Sequence, residues 1–121
     1  MKHHIETALS HFGEDRLAYE GAVVPPIFQN SLITYESWEA IDEAFDNRTN
    51  SYIYSRGNNP TVRVAQEKIA KLAGGEKALL FSSGMAAISA AVFHCVAPNG
   101  HVIAIKNIYG PANNLLSNYL K

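Results

Sequence analysis

Between residues 60 and 121 the chain alternates helical and extended patterns, an order few architectures accept. Asn59-Pro60 sets a capping side chain ahead of a proline at a first helical position. Val62, Ala65, Ile69 and Leu72 then recur at steps of three and four, one face of a helix. Gly74-Gly75 ends it. Ala78-Leu79-Leu80-Phe81 is a short unbroken apolar run, the pattern of a strand buried on both faces. Ser82-Ser83-Gly84 reads as a tight polar turn. Met85 to Val96 is rich in alanine and helical in pattern, and Pro98-Asn99-Gly100 breaks it. Val102-Ile103-Ala104-Ile105 repeats the strand pattern. Tyr109-Gly110-Pro111 is a loop, and Pro111 opens a last helix through Leu115, Leu116 and Tyr119. Helix, strand, helix, strand, helix predicts an α/β fold: a mainly parallel sheet with helices on its faces.

Residues 1–59 have another character. Pro25-Pro26, Asn30, Asn47, Asn50, Asn58 and Asn59 are turn formers. The periodic stretch is Ser37 to Phe45, where Trp38, Ile41 and Phe45 fall at helical spacing among Glu36, Glu39, Asp42, Glu43 and Asp46. That predicts a short acidic amphipathic helix. Its acids read as a solvated face, since no histidine joins them to make a metal site. The rest has little core of its own, and a long irregular arm within a compact domain is unusual. An arm that packs on a second chain is one explanation. His3, His4 and His11 read as part of a mobile N-terminus.

Composition narrows the functional classes. Apolar residues form 47% and charged residues 17% of the 121, which is globular. Ten basic residues oppose eleven acidic ones, so no cationic surface points to nucleic acid or to a membrane. The longest apolar stretch, Met85 to Val96, is too short to span a bilayer. The N-terminus lacks the apolar core of a signal peptide. A single cysteine, Cys95, excludes an internal disulfide and a cysteine-rich zinc site, and the default expectation is a cytoplasmic, reducing compartment. His94 and Cys95 are adjacent on a helix, so they diverge and read as buried structural residues.

Three features carry possible chemistry. A strand that ends in small polar residues and feeds a helix aims unpaired N–H groups and a positive dipole end at one point. Ser82, Ser83 and Gly84 at that position suggest a phosphate seat. Neither GxxxxGK nor GxGxxG is present, and an ordinary tight strand-to-helix turn is the plainer reading of these residues alone. Tyr52, Tyr54 and Arg56 share one side of an extended Tyr52–Arg56 stretch. A phenol beside a forked guanidinium suits a phosphate; exposed surface is the plainer reading. Tyr109 follows the carboxyl end of the second expected strand, where sheets of this class bind ligands. It could stack on a flat ring or simply cap the core.

Taken together, GAVVPPIFQNS at 21–31, YIYSRGNNPT at 52–61, LLFSSGMAAISA at 79–90 and IYG at 108–110 resemble one family. It is that of the pyridoxal-phosphate enzymes of cysteine and methionine metabolism. Cystathionine gamma-synthase, the cystathionine lyases, methionine gamma-lyase and O-acetylhomoserine sulfhydrylase are among its members. The resemblance runs from about Thr7 to Leu116. It implies the aspartate-aminotransferase-like (fold type I) architecture, with residues 1–59 as an arm on a neighbouring subunit and 60–121 as the start of the cofactor domain. It implies pyridoxal 5′-phosphate as cofactor, and no metal. Tyr54 and Arg56 would reach the neighbour's cofactor phosphate. Ser83, Gly84 and Met85 would hold the chain's own. Tyr109 would stack on the pyridine ring and take part in proton transfer. Substrates would be sulfur-containing or O-acylated amino acids, and the enzyme a homo-oligomer that makes or breaks carbon–sulfur bonds.

The chain departs from the family at Pro111 and Ala112, where glycine and threonine are usual, and at Asn30, where threonine is usual. None of Lys2, Lys68, Lys71, Lys77, Lys106 and Lys121 lies in the family's Schiff-base motif. The resemblance therefore implies the N-terminal portion of such an enzyme, inactive when isolated. The alternative class is a non-catalytic phosphate-binding or interaction module, a truncated paralogue that docks on a full-length enzyme.

Overall fold

The computed structural model describes residues 4–121. Lys2 and His3, named above, lie outside the described residues. The helices are α1 (Ile5–His11), α2 (Trp38–Asp46), α3 (Pro60–Ala73), α4 (Gly84–Cys95) and α5 (Gly110–Asn114). A 3-10 turn covers Leu17–Tyr19, and a π turn, Leu115–Tyr119, continues α5. Contacts divide the chain into two compact units, Met1–Leu79 and Leu80–Lys121. The sequence had set residues 60–121 apart from the arm, but α3 groups with the arm.

The reason lies in how α1 meets α3. Lys68 Nζ donates to the Ser10 carbonyl at 3.1 Å and to Glu14 Oε1 at 2.6 Å. The Lys71 ammonium stands 5.4 Å from the centre of the Phe12 ring. The stems of both lysines, with Leu72, face Ile5, Ala8 and Leu9. Gly13 lets the chain run against α3: its φ is +76°, and a Cβ there would stand 2.6 Å from Glu67 Oε2. The sequence reading gave α1 no place, although Ile5, Ala8, Leu9 and Phe12 have helical spacing.

α3 begins and ends as its residues dictate. Asn59 caps it, Pro60 occupies its first turn, and Gly74 closes it with φ 68°. Its expected apolar face is another matter, because Val62, Ile69 and Leu72 remain exposed. The packing side is the one that carries Arg63 and Lys68. Arg63 pairs with Glu67 at 3.0 Å and donates to the Tyr52 hydroxyl at 3.4 Å. α2 is the expected acidic helix, capped by Ser37 Oγ, which accepts from Ala40 N at 3.2 Å. Ala44 is its buried residue, while Trp38 is exposed.

In the second unit α5 packs against α4, and Ala112 is buried. α4 has an apolar sequence, yet none of its residues is buried. His94 and Cys95, expected as buried structural residues, are exposed in its last turn. The two expected strands also differ. Ala78–Phe81 and Val102–Ile105 make no ladder hydrogen bonds among the described residues, and Ile103 is 93% exposed. A strand buried on both faces needs neighbours along both edges and layers above and below. Two such segments cannot supply all of that for each other. Pairing occurs instead within the arm, as an isolated antiparallel bridge between Leu32 and Tyr54.

Candidate phosphate-binding site

The Ser83 side chain fixes the start of α4. Its backbone is extended (φ −151°, ψ 156°), and its Oγ accepts from Ala86 N at 3.1 Å. Ala87 N is satisfied by the Ser83 carbonyl at 3.2 Å. The N–H groups of Gly84 and Met85 take no partner among the described residues. They stand at the positive end of a helix of 12 residues, the arrangement that receives an anion.

Gly84 is informative through what it does not touch. A Cβ built there meets nothing within 4 Å, and its φ is not in the left-handed region. Neither packing nor backbone strain explains a glycine. The main chain at the start of α4 is open to close approach, as it is at Gly110 at the start of α5.

Tyr109 stands at the N-cap position of α5 without a side-chain capping bond, and the residue is 62% exposed. It belongs to the same compact unit as Ser83, Gly84 and Met85.

Tyr54 and Arg56 lie in the other unit, on a short turn. Ser55 N donates to the Ser31 carbonyl at 3.0 Å, alongside the Leu32–Tyr54 bridge. The Tyr54 carbonyl accepts from Gly57 N at 2.8 Å and Asn58 N at 3.1 Å, so the chain turns just after Arg56. The Arg56 guanidinium sits 4.9 Å from the centre of the Tyr54 ring. Both side chains are exposed, and among the described residues Arg56 has no carboxylate partner. Tyr52, grouped with them in the sequence, turns to Arg63 instead. The structure thus brings Tyr54 and Arg56 together and separates Tyr52 from them.

Asn59 is the residue whose reach the sequence understated. It reads as a helix cap, and its Oδ1 does accept from Thr61 N at 2.9 Å and Val62 N at 3.4 Å. Its Nδ2 also donates to the Phe28 carbonyl and to Ser55 Oγ, each at 3.1 Å. The signal available was the amide itself. Serine, threonine and aspartate cap as well, but only the amide adds two donors to an acceptor.

The start of α4 thus presents two unpartnered N–H groups, and the arm presents an exposed Tyr-Arg pair. Comparisons with known proteins identify the family. The family described as "Cys/Met metabolism PLP-dependent enzyme" matches residues 6–121. L-methionine gamma-lyase of Porphyromonas gingivalis is 36% identical over 110 residues, 91% of this chain and 27% of that protein. O-acetyl-L-homoserine sulfhydrylase of Corynebacterium glutamicum is 33% identical over 110 residues, 91% of this chain and 25% of that protein. A crystal structure titled as an O-acetylhomoserine (thiol)-lyase of Campylobacter jejuni superposes with a TM-score of 0.89 at 28% identity. It covers 98% of this chain and 29% of that one, and it carries a pyridoxyl-lysine phosphate at its position 205.

The chain belongs to the pyridoxal-phosphate-dependent enzymes of cysteine and methionine metabolism. It has the fold of the N-terminal part of a fold type I enzyme, and the cofactor of its family is pyridoxal phosphate. It spans about a quarter of the length of the curated relatives it matches.

Proposed function

We propose that this chain forms the cofactor-phosphate seat of an enzyme that makes or breaks carbon–sulfur bonds in sulfur-containing or O-acylated amino acids. The observation that carries the reading is Gly84, a glycine with open space beside it and free donors at a helix start. When bound, pyridoxal phosphate supplies an electron sink for charge that develops on an amino-acid substrate. This chain's residues anchor and orient. Gly84 and Met85 donate main-chain hydrogen bonds to the phosphate, and Ser83 keeps those donors aimed by capping the helix. Tyr109 would lie against the pyridine, its hydroxyl being the atom placed to hold a proton. Tyr54 and Arg56 contribute to the phosphate of a neighbouring subunit's cofactor, which makes the enzyme a homo-oligomer with its arm on a partner. A cytoplasmic setting goes with this reading, supported by the single cysteine.

Subunit mixing tests the division of labour. Consider this chain joined to the remaining three quarters of the Porphyromonas gingivalis lyase. Arg56→Ala and Gly84→Val should each weaken cofactor binding by about tenfold or more. If their defects fall in sites of different subunits, mixed dimers hold one undamaged site, and cofactor occupancy partly recovers. No recovery, with subunit exchange verified by native mass spectrometry, places Arg56 outside the neighbour's site.

A further inference from the structure

We propose that Asn59 is a positioning residue for the Tyr54–Arg56 turn, acting through Ser55. The inference rests on reading Tyr54 and Arg56 as phosphate contacts. Asn59 is 8% exposed, a polar side chain almost wholly withdrawn from water. All of its hydrogen-bonding capacity is spent, and it is spent on three segments. Oδ1 holds the first turn of α3 through Thr61 and Val62. Nδ2 holds the Phe28 carbonyl of the arm and the Ser55 hydroxyl.

Ser55 lies between Tyr54 and Arg56 in the chain. Its N–H is tied to the Ser31 carbonyl and its hydroxyl to Asn59. Those two bonds fix the one residue that both flanking side chains pivot about. Arg56 itself is held by little else: the Tyr54 ring lies under its guanidinium, and no carboxylate pairs with it among the described residues. A guanidinium on so exposed a turn is presented in one place only if the turn is. Thr61 reinforces the same corner, since its Oγ1 accepts from Phe28 N at 2.9 Å and donates to the Pro26 carbonyl at 3.4 Å. The fixed end of α3 is thereby the platform from which the Tyr-Arg pair is offered.

Asn59→Asp separates this role from helix capping. Aspartate keeps the oxygen that accepts from Thr61 and Val62 and loses the donors to Phe28 and Ser55. The 121-residue chain carries the experiment, kept dilute enough to sediment as a monomer, with pyridoxine 5′-phosphate as probe because it has no aldehyde to react with lysines. Pyridoxine is the phosphate-free control. In the wild type, phosphate-dependent NMR shifts at Arg56 should saturate, and Arg56→Ala should abolish them. Asn59→Asp should leave the helical circular dichroism unchanged. It should also collapse the ring-current displacement of the Arg56 side-chain protons over Tyr54, and weaken probe binding at this turn about fivefold.

Ser55→Ala, which leaves the α3 cap whole, should move both readouts the same way and decides the matter should Asn59→Asp fail to fold. Retention of the ring-current displacement and of wild-type affinity in the folded variants, while Arg56→Ala loses binding, overturns the role of Asn59. Binding that Arg56→Ala does not alter overturns the phosphate reading of Arg56, and the inference with it.

Discussion

At the residue scale, Gly84 is the position where stability and the proposed phosphate contact can be measured apart. Its surroundings have room for a side chain and its backbone is not in a glycine-only region. Gly84→Val should therefore leave the melting of the chain unchanged or raise it, because a side chain restricts the unfolded state more than glycine does. Binding of a phosphorylated pyridine should fall about tenfold in the same variant, because the side chain fills the approach to the Gly84 and Met85 N–H groups. Calorimetric melting and a binding titration on one sample check both. A variant that loses stability in proportion to binding would make Gly84 a packing glycine. The contrast is Gly74, whose φ of 68° does require glycine, and where alanine should cost about 1 kcal/mol.

At the scale of elements, the docking of α1 on α3 turns on one buried carboxylate. The Glu14 side chain is 6% exposed, and Lys68 lies 2.6 Å from its Oε1. The hydrogen bond from Lys68 holds the Glu14 carboxyl below the usual carboxylate range, against the opposing effect of burial. His11 and Arg16 face its other oxygen at 3.6 and 3.8 Å. A carboxyl whose pKa is lowered on folding stabilises the folded state above the ordinary value. That stability is lost as pH falls through the lowered one. α1 should therefore stay docked at neutral pH and release as pH falls below the ordinary carboxylate range, read as faster amide exchange in α1 than in α2. Lys68→Met should release it at neutral pH. Exchange in α1 that is indifferent to both changes would show that the apolar contacts of Ile5, Ala8 and Leu9 hold it unaided.

The same scale shows what the residues made legible. Caps and stops are local chemistry, so Asn59-Pro60, Gly74 and Ser83 mark α3 and α4 where the structure has them. The tight turn Ser82-Ser83-Gly84, which leads into α4, is local too. α1 was hidden because His4, Glu6, Thr7, Ser10 and His11 dilute its apolar positions, and its partner is a pair of lysines rather than an apolar stripe. Ala78–Phe81 and Val102–Ile105 have strand composition, but pairing is a non-local property that composition cannot supply. The bonds from Asn59 to Phe28 and Ser55 join sequence-distant and sequence-near groups through one amide, and no spacing rule announces them.

At the scale of the whole molecule, the chain leaves much apolar surface in water. Leu79, Phe81, Phe93, Ile103 and Ile105 are exposed, and α4 is apolar without a buried residue. A helix of that character is ordinarily covered on all sides, and soluble monomers rarely expose large apolar patches. The 121-residue chain by itself should bind a hydrophobic dye and associate with itself as concentration rises. Sedimentation of a monomer with a sharp cooperative melt and no dye binding would contradict this.

If the start of α4 receives the phosphate of a pyridoxal cofactor, as proposed, its amides must respond to a phosphorylated pyridine. Titrating the ¹⁵N-labelled chain with pyridoxine 5′-phosphate, against pyridoxine, tests it most directly. The amides of Gly84, Met85 and Ala86 should shift together and saturate with the phosphorylated compound alone. Equal responses to both compounds, or no response at those three amides, would contradict the account.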